Sequence, residues 1–109
     1  MLPRAHRVVS GSDYRRISRK GRRVSGRVAI VYLDREQAGE PARFGFIVSR
    51  AVGGAVQRNR VRRRLKAVCF ALLGDAPARS VVIRALPAAA TAPWSELRDE
   101  VTKAVLTRR

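Results

Sequence analysis

Ala55-Val56-Gln57-Arg58-Asn59-Arg60-Val61-Arg62-Arg63-Arg64-Leu65-Lys66-Ala67-Val68-Cys69-Phe70-Ala71-Leu72-Leu73 is the stretch from which the rest of the chain can be read. Val61, Leu65, Val68 and Leu72 recur at steps of four, three and four, the spacing of a helix with a single apolar stripe. Six of the nine residues from Arg58 to Lys66 are basic and none is acidic. At about 100° per residue, Arg62, Lys66, Asn59, Arg63, Arg60 and Arg64 fall around the arc opposite Val61, with Arg58 at the flank of the stripe. The pattern predicts a helix seated on a core with a cationic side turned outward.

The neighbouring segments supply that core. Arg43-Phe44-Gly45-Phe46-Ile47-Val48-Ser49-Arg50 reads as a strand, with Phe44, Phe46 and Val48 on one side and Ile47 on the other; Gly53-Gly54 then breaks the pattern and opens the helix. Arg27 to Leu33 is β-branched and apolar on both alternating faces, as in a central strand. Asp34 to Ala42, with Gly39, Pro41 and three of the eight acids, reads as a hairpin loop, so these two strands are expected to pair antiparallel. Beyond Gly74-Asp75-Ala76-Pro77, Ser80 to Leu86 is another β-branched run. Strand, helix, strand there predicts a crossover and a parallel pair.

Toward the ends the signals are shorter. Ser12 to Gly21 predicts a helix capped by Ser12, with Asp13 at its positive end, Gly21 as its stop, and Tyr14 and Ile17 on one face. Arg22 to Gly26 is a basic connection or a short edge strand. Pro87 to Pro93 reads as a loop, and a last helix from near Pro93 is expected to bury Trp94, Leu97, Val101, Ala104 and Val105. Residues 1 to 11 form an extended lead-in that packs on the surface or touches a ligand. With 109 residues, 46% of them hydrophobic, one domain with a modest core is expected.

The charge balance narrows the partners. Against 8 Asp and Glu stand 24 Lys and Arg, a net +16, which self-repels in isolation and calls for a polyanion. From Tyr14 to Leu33 there are seven basic residues and no acid; from Pro41 to Gly74 there are eight and again none. Two basic surfaces are therefore expected on either side of the sheet. The lysines are Lys20, Lys66 and Lys103, so arginine, whose planar fork matches phosphate, carries the charge. An ordinary exposed helix face mixes both signs in i,i+4 pairs, and the Arg58–Lys66 segment has no such partners.

Other classes are excluded or left without support. No run reaches the roughly 18 apolar residues of a membrane span, and Met1 to Arg7 has no apolar segment behind its charges, so the chain is read as cytosolic, with a basic mitochondrial presequence the minor competing reading. The single Cys69 lies on the apolar stripe, which excludes an internal disulfide and favours a plain buried thiol. The acids form no pair suited to metal binding or acid–base work, and there is no phosphate-cradling loop with Lys, no metal-ligand spacing and no nucleophile beside a base. Asn59 is either a tolerated surface residue or an amide aimed at a base edge or backbone group. Tyr14, Tyr32, Phe44 and Phe46 are candidates for base stacking, with core packing the default. His6 reads as a phosphate contact or as a residue without a role.

The run from Phe44 to Arg63 closely resembles the signature of the bacterial ribonuclease P protein component family, where a strand ending Val-Ser-Lys enters a Gly-Asn-Ala-Val turn and then an Arg-Asn-Arg helix. Here the corresponding residues are Val48-Ser49-Arg50, Gly53-Gly54-Ala55-Val56 and Arg58-Asn59-Arg60. The likeness extends over nearly the whole chain through Asp13-Tyr14, Gly21, Val31-Tyr32, Val81 to Arg84 and Trp94 to Leu97. It implies an α/β, two-layer sandwich similar to a ribosomal-protein domain. About four strands would form a mixed sheet, in the order helix, strand, strand, an optional strand, helix, strand, helix, with a left-handed crossover through the basic helix.

The resemblance also implies a role. Members are partners of a catalytic RNA and with it remove the 5′ leader of precursor tRNA, the RNA and its Mg²⁺ performing the hydrolysis; the protein alone is then not catalytic and holds no metal of its own. Arg58, Asn59, Arg60, Arg62, Arg63, Arg64 and Lys66 would face the catalytic RNA. Tyr14, Ile30 and Tyr32, with Arg58 and Asn59, would line the cleft that takes the single-stranded leader. Neither a membrane nor DNA is an expected partner, and an oligomer of the free protein is not predicted. The chain departs from the family at Ser18, where many members carry an aromatic, at Ala51 in place of Lys and at Gly54 in place of Asn, which weakens the leader platform and the helix cap. The alternative reading is a structural ribosomal or other RNA-binding protein; the β-rich surroundings of the basic helix argue against a helix-turn-helix DNA binder.

Overall fold

The computed structural model describes residues 2–107, within which four strands and three α-helices are present. A 3-10 turn at Arg4–His6 precedes α1 (Gly11–Lys20), β1 (Arg22–Ser25), β2 (Ala29–Leu33) and β3 (Arg43–Ile47). A second 3-10 turn, Arg50–Val52, leads into α2 (Ala55–Ala71), followed by β4 (Ser80–Ala85), a turn at Pro87–Ala90 and α3 (Trp94–Val105). None of these helices is long and apolar enough to cross a membrane.

The strands lie in the order β1-β2-β4-β3. β4 pairs parallel with β3, as a crossover through α2 requires. The antiparallel hairpin expected between β2 and β3 is absent: β4 stands between them and takes the antiparallel pairing with β2. Physically, Val81, Val82, Ile83 and Ala85 are all buried, so β4 is apolar on both faces and belongs in the interior of the sheet, whereas β3 begins at exposed Arg43 and suits an edge. The loop after β2 follows the start of β4 instead of folding back on β2: Asp34 N–H donates to Ser80 O, Gln37 N–H to Ala78 O and Arg43 N–H to Arg79 O.

One face of the sheet carries the main core. Val31, Leu33, Phe44, Val81 and Ile83 meet the α2 stripe of Val61, Leu65, Val68 and Leu72, together with Cys69, and the α3 stripe of Leu97, Val101, Ala104 and Val105. Burial pushes the Cys69 thiol far up, which keeps it protonated and inert. Trp94 departs from its expected burial and is 39% exposed. It is the first residue of α3, and helical side chains lean toward the N-terminus, so its ring overhangs the end of the helix.

Two anchors hold α3. The Glu100 carboxylate accepts from the backbone N–H groups of Arg27, Val28 and Ala29, at 2.8, 3.0 and 2.9 Å, securing the β1–β2 turn. Buried Arg79 donates through Nη2 to Val105 O at 2.9 Å and to Thr107 O, satisfying carbonyls at the helix end. α1 is capped two residues before the serine expected to cap it. Ser10 is the N-cap and accepts from Asp13 N–H, while Ser12 sits inside the first turn with its Oγ 2.6 Å from Ser10 Oγ. The cap-to-N3 spacing that a serine needs is met by Ser10 and Asp13.

Residues 2–8 pack on the β3 edge. Val8 N–H donates to Phe44 O at 3.0 Å, Leu2 and Val8 are buried, and His6 Nδ1–H donates to Ala42 O at 2.7 Å. His6 is thereby occupied within the fold.

Candidate nucleic-acid interface

The face of the sheet away from α2 and α3 is covered by α1, with Val8 of the N-terminal segment beside it. Strand register sets its side chains in rows: Arg23, Tyr32, Val82 and Gly45 form one, and Ser25, Ile30, Arg84 and Ile47 the next. α1 lies over the first. Ile17, fully buried, packs with Tyr32, Val82 and Val8, and the Tyr14 ring rests on Gly45, where a Cβ would come within 2.7 Å of it. Glycine is the only residue that lets the aromatic lie this close to the strand. The Tyr14 hydroxyl accepts from Phe46 N–H at 3.2 Å, closing part of the free edge of β3.

The second row stays open. Ile30 and Ile47 are half-buried against the α1 cluster, and Arg84 stands exposed between them with its guanidinium carbon 6.0 Å from the Tyr32 ring centroid. Four strands at about 4.8 Å spacing make this floor roughly 14 Å wide, room for two or three nucleotides. Arg15, Arg19 and Lys20 on α1 and Arg23 in the neighbouring row of β1 are exposed, whereas Arg22 pairs with Leu33 and belongs to the other face. The expected cleft residues Tyr14, Ile30 and Tyr32 are thus brought into one cluster, but Tyr32 is only 6% exposed. The accessible surface comes from Ile30, Ile47 and Arg84.

Arg84 and Ile47 are absent from the sequence-derived site. A signal for Arg84 exists: it is the one charge inside an otherwise apolar β-branched run, at the period-two position of Val82, which marks an outward residue on a partly open face.

On the other side, α2 starts from an unusual turn. Gly53 has φ of +152°, within the range L side chains rarely adopt, and a Cβ there would lie 2.0 Å from Gln57 Oε1. Gly54 occupies the N-cap without a capping side chain, and Gln57 Oε1 accepts from Gly54 N–H at 3.1 Å, so the helix is capped from within. Asn59, Arg62, Arg63 and Lys66, with Val56, line a shallow outward groove. Asn59 Oδ1 accepts from Arg62 Nη1 at 3.1 Å, which orients the guanidinium. Arg60 is exposed outside that groove. Arg64 turns the other way, donating to Ala92 O at 3.4 Å beside α3, and Arg58 is half-buried. The expected set therefore divides, with Asn59 facing outward on α2 and the tyrosines under α1.

The acids are held elsewhere. Asp34 accepts from Arg16 at 2.9 Å, and the Arg16 guanidinium is raised chiefly by that hydrogen bond. Glu96 pairs with Arg27, which lowers the carboxyl below its usual range through the hydrogen bond. No acid belongs to α2, so its cations are uncompensated within the helix.

Known proteins resemble the chain in both sequence and fold. The family model described as Ribonuclease P matches residues 2–108. The ribonuclease P protein component of Acidothermus cellulolyticus is 49% identical over 102 residues, covering 92% of this chain and 85% of that one. That of Clavibacter michiganensis subsp. michiganensis is 49% identical over 106 residues, covering 96% and 94%. Among solved structures, the RNase P protein of Thermotoga maritima superposes with a TM-score of 0.82 at 18% identity over 94% of this chain and 97% of that one, a likeness of fold.

Proposed function

Because the chain belongs to the ribonuclease P protein family and is the protein cofactor of that tRNA-processing enzyme, we propose that its two basic faces divide the work between two RNAs. The outward groove of α2 holds the catalytic RNA, with Arg60 beside it and Arg62, Arg63 and Lys66 neutralising phosphates while Asn59 fixes the Arg62 fork. The open row beside α1 takes the single-stranded leader of precursor tRNA. Ile30 and Ile47 give its bases an apolar floor, Arg84 meets a base or phosphate, and Tyr14 and Tyr32 set the depth of the floor from beneath α1. Arg58 lies at the base of α2, and Arg64 braces the helix against α3 while leaving donors for RNA.

One observation carries this reading: α2 presents a full helical face of cations without a carboxylate, on the opposite side of the sheet from the open row. Among the described residues no three His, Cys, Asp or Glu side chains group so as to hold a metal ion. As part of the same proposal, Mg²⁺, which would supply the hydrolytic chemistry, is assigned to the RNA subunit and the complex to the cytoplasm. The protein's own contribution is to screen phosphates, which lowers the divalent-ion concentration that RNA folding needs, and to bind substrate through its leader.

Reconstitution with the ribonuclease P RNA of the same organism tests it. At low Mg²⁺ the chain alone cleaves nothing, the RNA alone cleaves poorly, and the two together cleave precursor tRNA and bind it more tightly than mature tRNA. Affinity that does not change with leader length would overturn the assignment of the open row.

A further inference from the structure

The sequence marks the cationic run as ending at Lys66, but the outward line of α2 continues. At about 100° per residue, Val56, Asn59, Arg63, Lys66 and Phe70 lie along one side of the helix, directly opposite the buried Val61. Phe70 is 49% exposed and Val56 82% exposed, so the cations of the groove are bracketed along the helix axis by two apolar side chains about 21 Å apart. A single exposed apolar residue is ordinary on a protein surface. The surroundings of this one are not. Its i−3 neighbour Ala67 is exposed and too small to cover the ring, and the next cation, Lys66, is one turn away on the same side.

An aromatic face left clear at the end of a phosphate-binding groove has one natural occupant. We propose that Phe70 is a stacking platform for an unpaired nucleobase of the RNA held by α2, so that the helix grips the backbone with its cations and pins the strand at its C-terminal end. The proposal rests on the assignment of α2 to the RNA subunit. Charge selects this occupant over a second copy of the chain, which at net +16 is repelled from the same face. Every base has a π face, so the contact adds affinity without demanding a particular sequence.

The test uses the full chain and the ribonuclease P RNA of the same organism, titrated at several salt concentrations. Phe70→Ala weakens binding by about tenfold, the range of one base–aromatic stack, with the salt slope unchanged because no phosphate contact is lost. Phe70→Tyr binds as the parent does, whereas Phe70→Leu, which keeps the apolar area without the π face, behaves like Phe70→Ala. In a Trp94→Phe background, Phe70→Trp places the sole indole at the site, and its emission is quenched when RNA binds. Rescue by leucine, an unaltered affinity for Phe70→Ala, or unquenched emission each overturns the stacking contact while leaving the RNA assignment standing. Dissociation of a free-protein dimer by Phe70→Ala, seen in sedimentation, overturns it in favour of self-association. If the parent chain binds an unrelated structured RNA as tightly as its own, the assignment of α2 itself fails.

Discussion

The two faces of the sheet are both ringed by cations, yet one is closed and the other half open. α2 and α3 cover the first with interlocking stripes and present their charge from the far side of a helix, a layer away from the sheet. α1 covers only one row of the second, so there the sheet itself, through Ile30, Ile47 and Arg84, meets solvent. A helix face offers point charges suited to a folded polyphosphate surface. A flat apolar floor with one guanidinium suits bases that have left a duplex. Coverage, more than charge, thus separates the two roles proposed for these faces.

The comparison breaks most visibly in the closed face. Leu65 is fully buried beneath α2, and Leu65→Ala should cost about 2–5 kcal/mol, read as a lower midpoint in urea unfolding. Both RNA contacts should then fail together at temperatures where the parent is folded. Next in size, Arg63→Glu should weaken assembly with the RNA subunit by about tenfold or more and flatten the salt slope by about one to two, while preference for leader-bearing substrate is kept. A loss of leader discrimination equal to the loss of assembly would show that the faces do not act separately.

Arg84→Gln gives the converse. It should lower affinity for leader-bearing precursor tRNA several-fold, the scale of one charge-assisted contact, with assembly unchanged. It is a cleaner probe than Tyr32→Ala, because Tyr32 is buried under α1 and its truncation also opens the core. The smallest effect belongs to neither face. Arg27 holds the Glu96 pKa below its usual value, so the pair's contribution is present above the unfolded carboxylate pKa and disappears as pH falls through the lower folded value. Acidification through that window should narrow the difference in melting temperature between the parent and Glu96→Gln. A gap that does not change with pH would remove the pair from the stability of α3.

Where one periodicity decides, the chain is legible. The stripe of Val61, Leu65, Val68 and Leu72 is buried as its spacing requires, Phe44 belongs to the main core with half-buried Phe46 packed against it, and β3, α2 and β4 make the parallel crossover. Periodicity does not encode strand order. Nothing local to β2 or β3 shows that β4 will come between them; the cause is a distant run with apolar residues on both faces. Helix ends are ambiguous in sequence, since Ser10 and Ser12 are both capping residue types two positions apart, and it is the first that caps. Trp94 illustrates the reverse: its helical phase fits the core, and its position at the helix end takes it out. The open floor is half readable, with Ile30 and the tyrosines marked by likeness to a family and Arg84 by its lone charge in an apolar strand, whereas nothing in the pattern singles out Ile47.

The interior position of β4 also imposes an order on folding. Val31 awaits Ile83 and Phe44 awaits Val81, so neither inner edge of the sheet can be zipped by its sequence neighbours. Such long closures are slow, and while a ribosome is still extending the chain, β2 and β3 remain unpaired with each other and exposed. The same strand delivers Arg84 to the floor. A nascent chain therefore cannot assemble its sheet, or the floor proposed for a leader, until nearly four-fifths of its length has been made, and a product that stops before β4 carries the cationic segment without that floor.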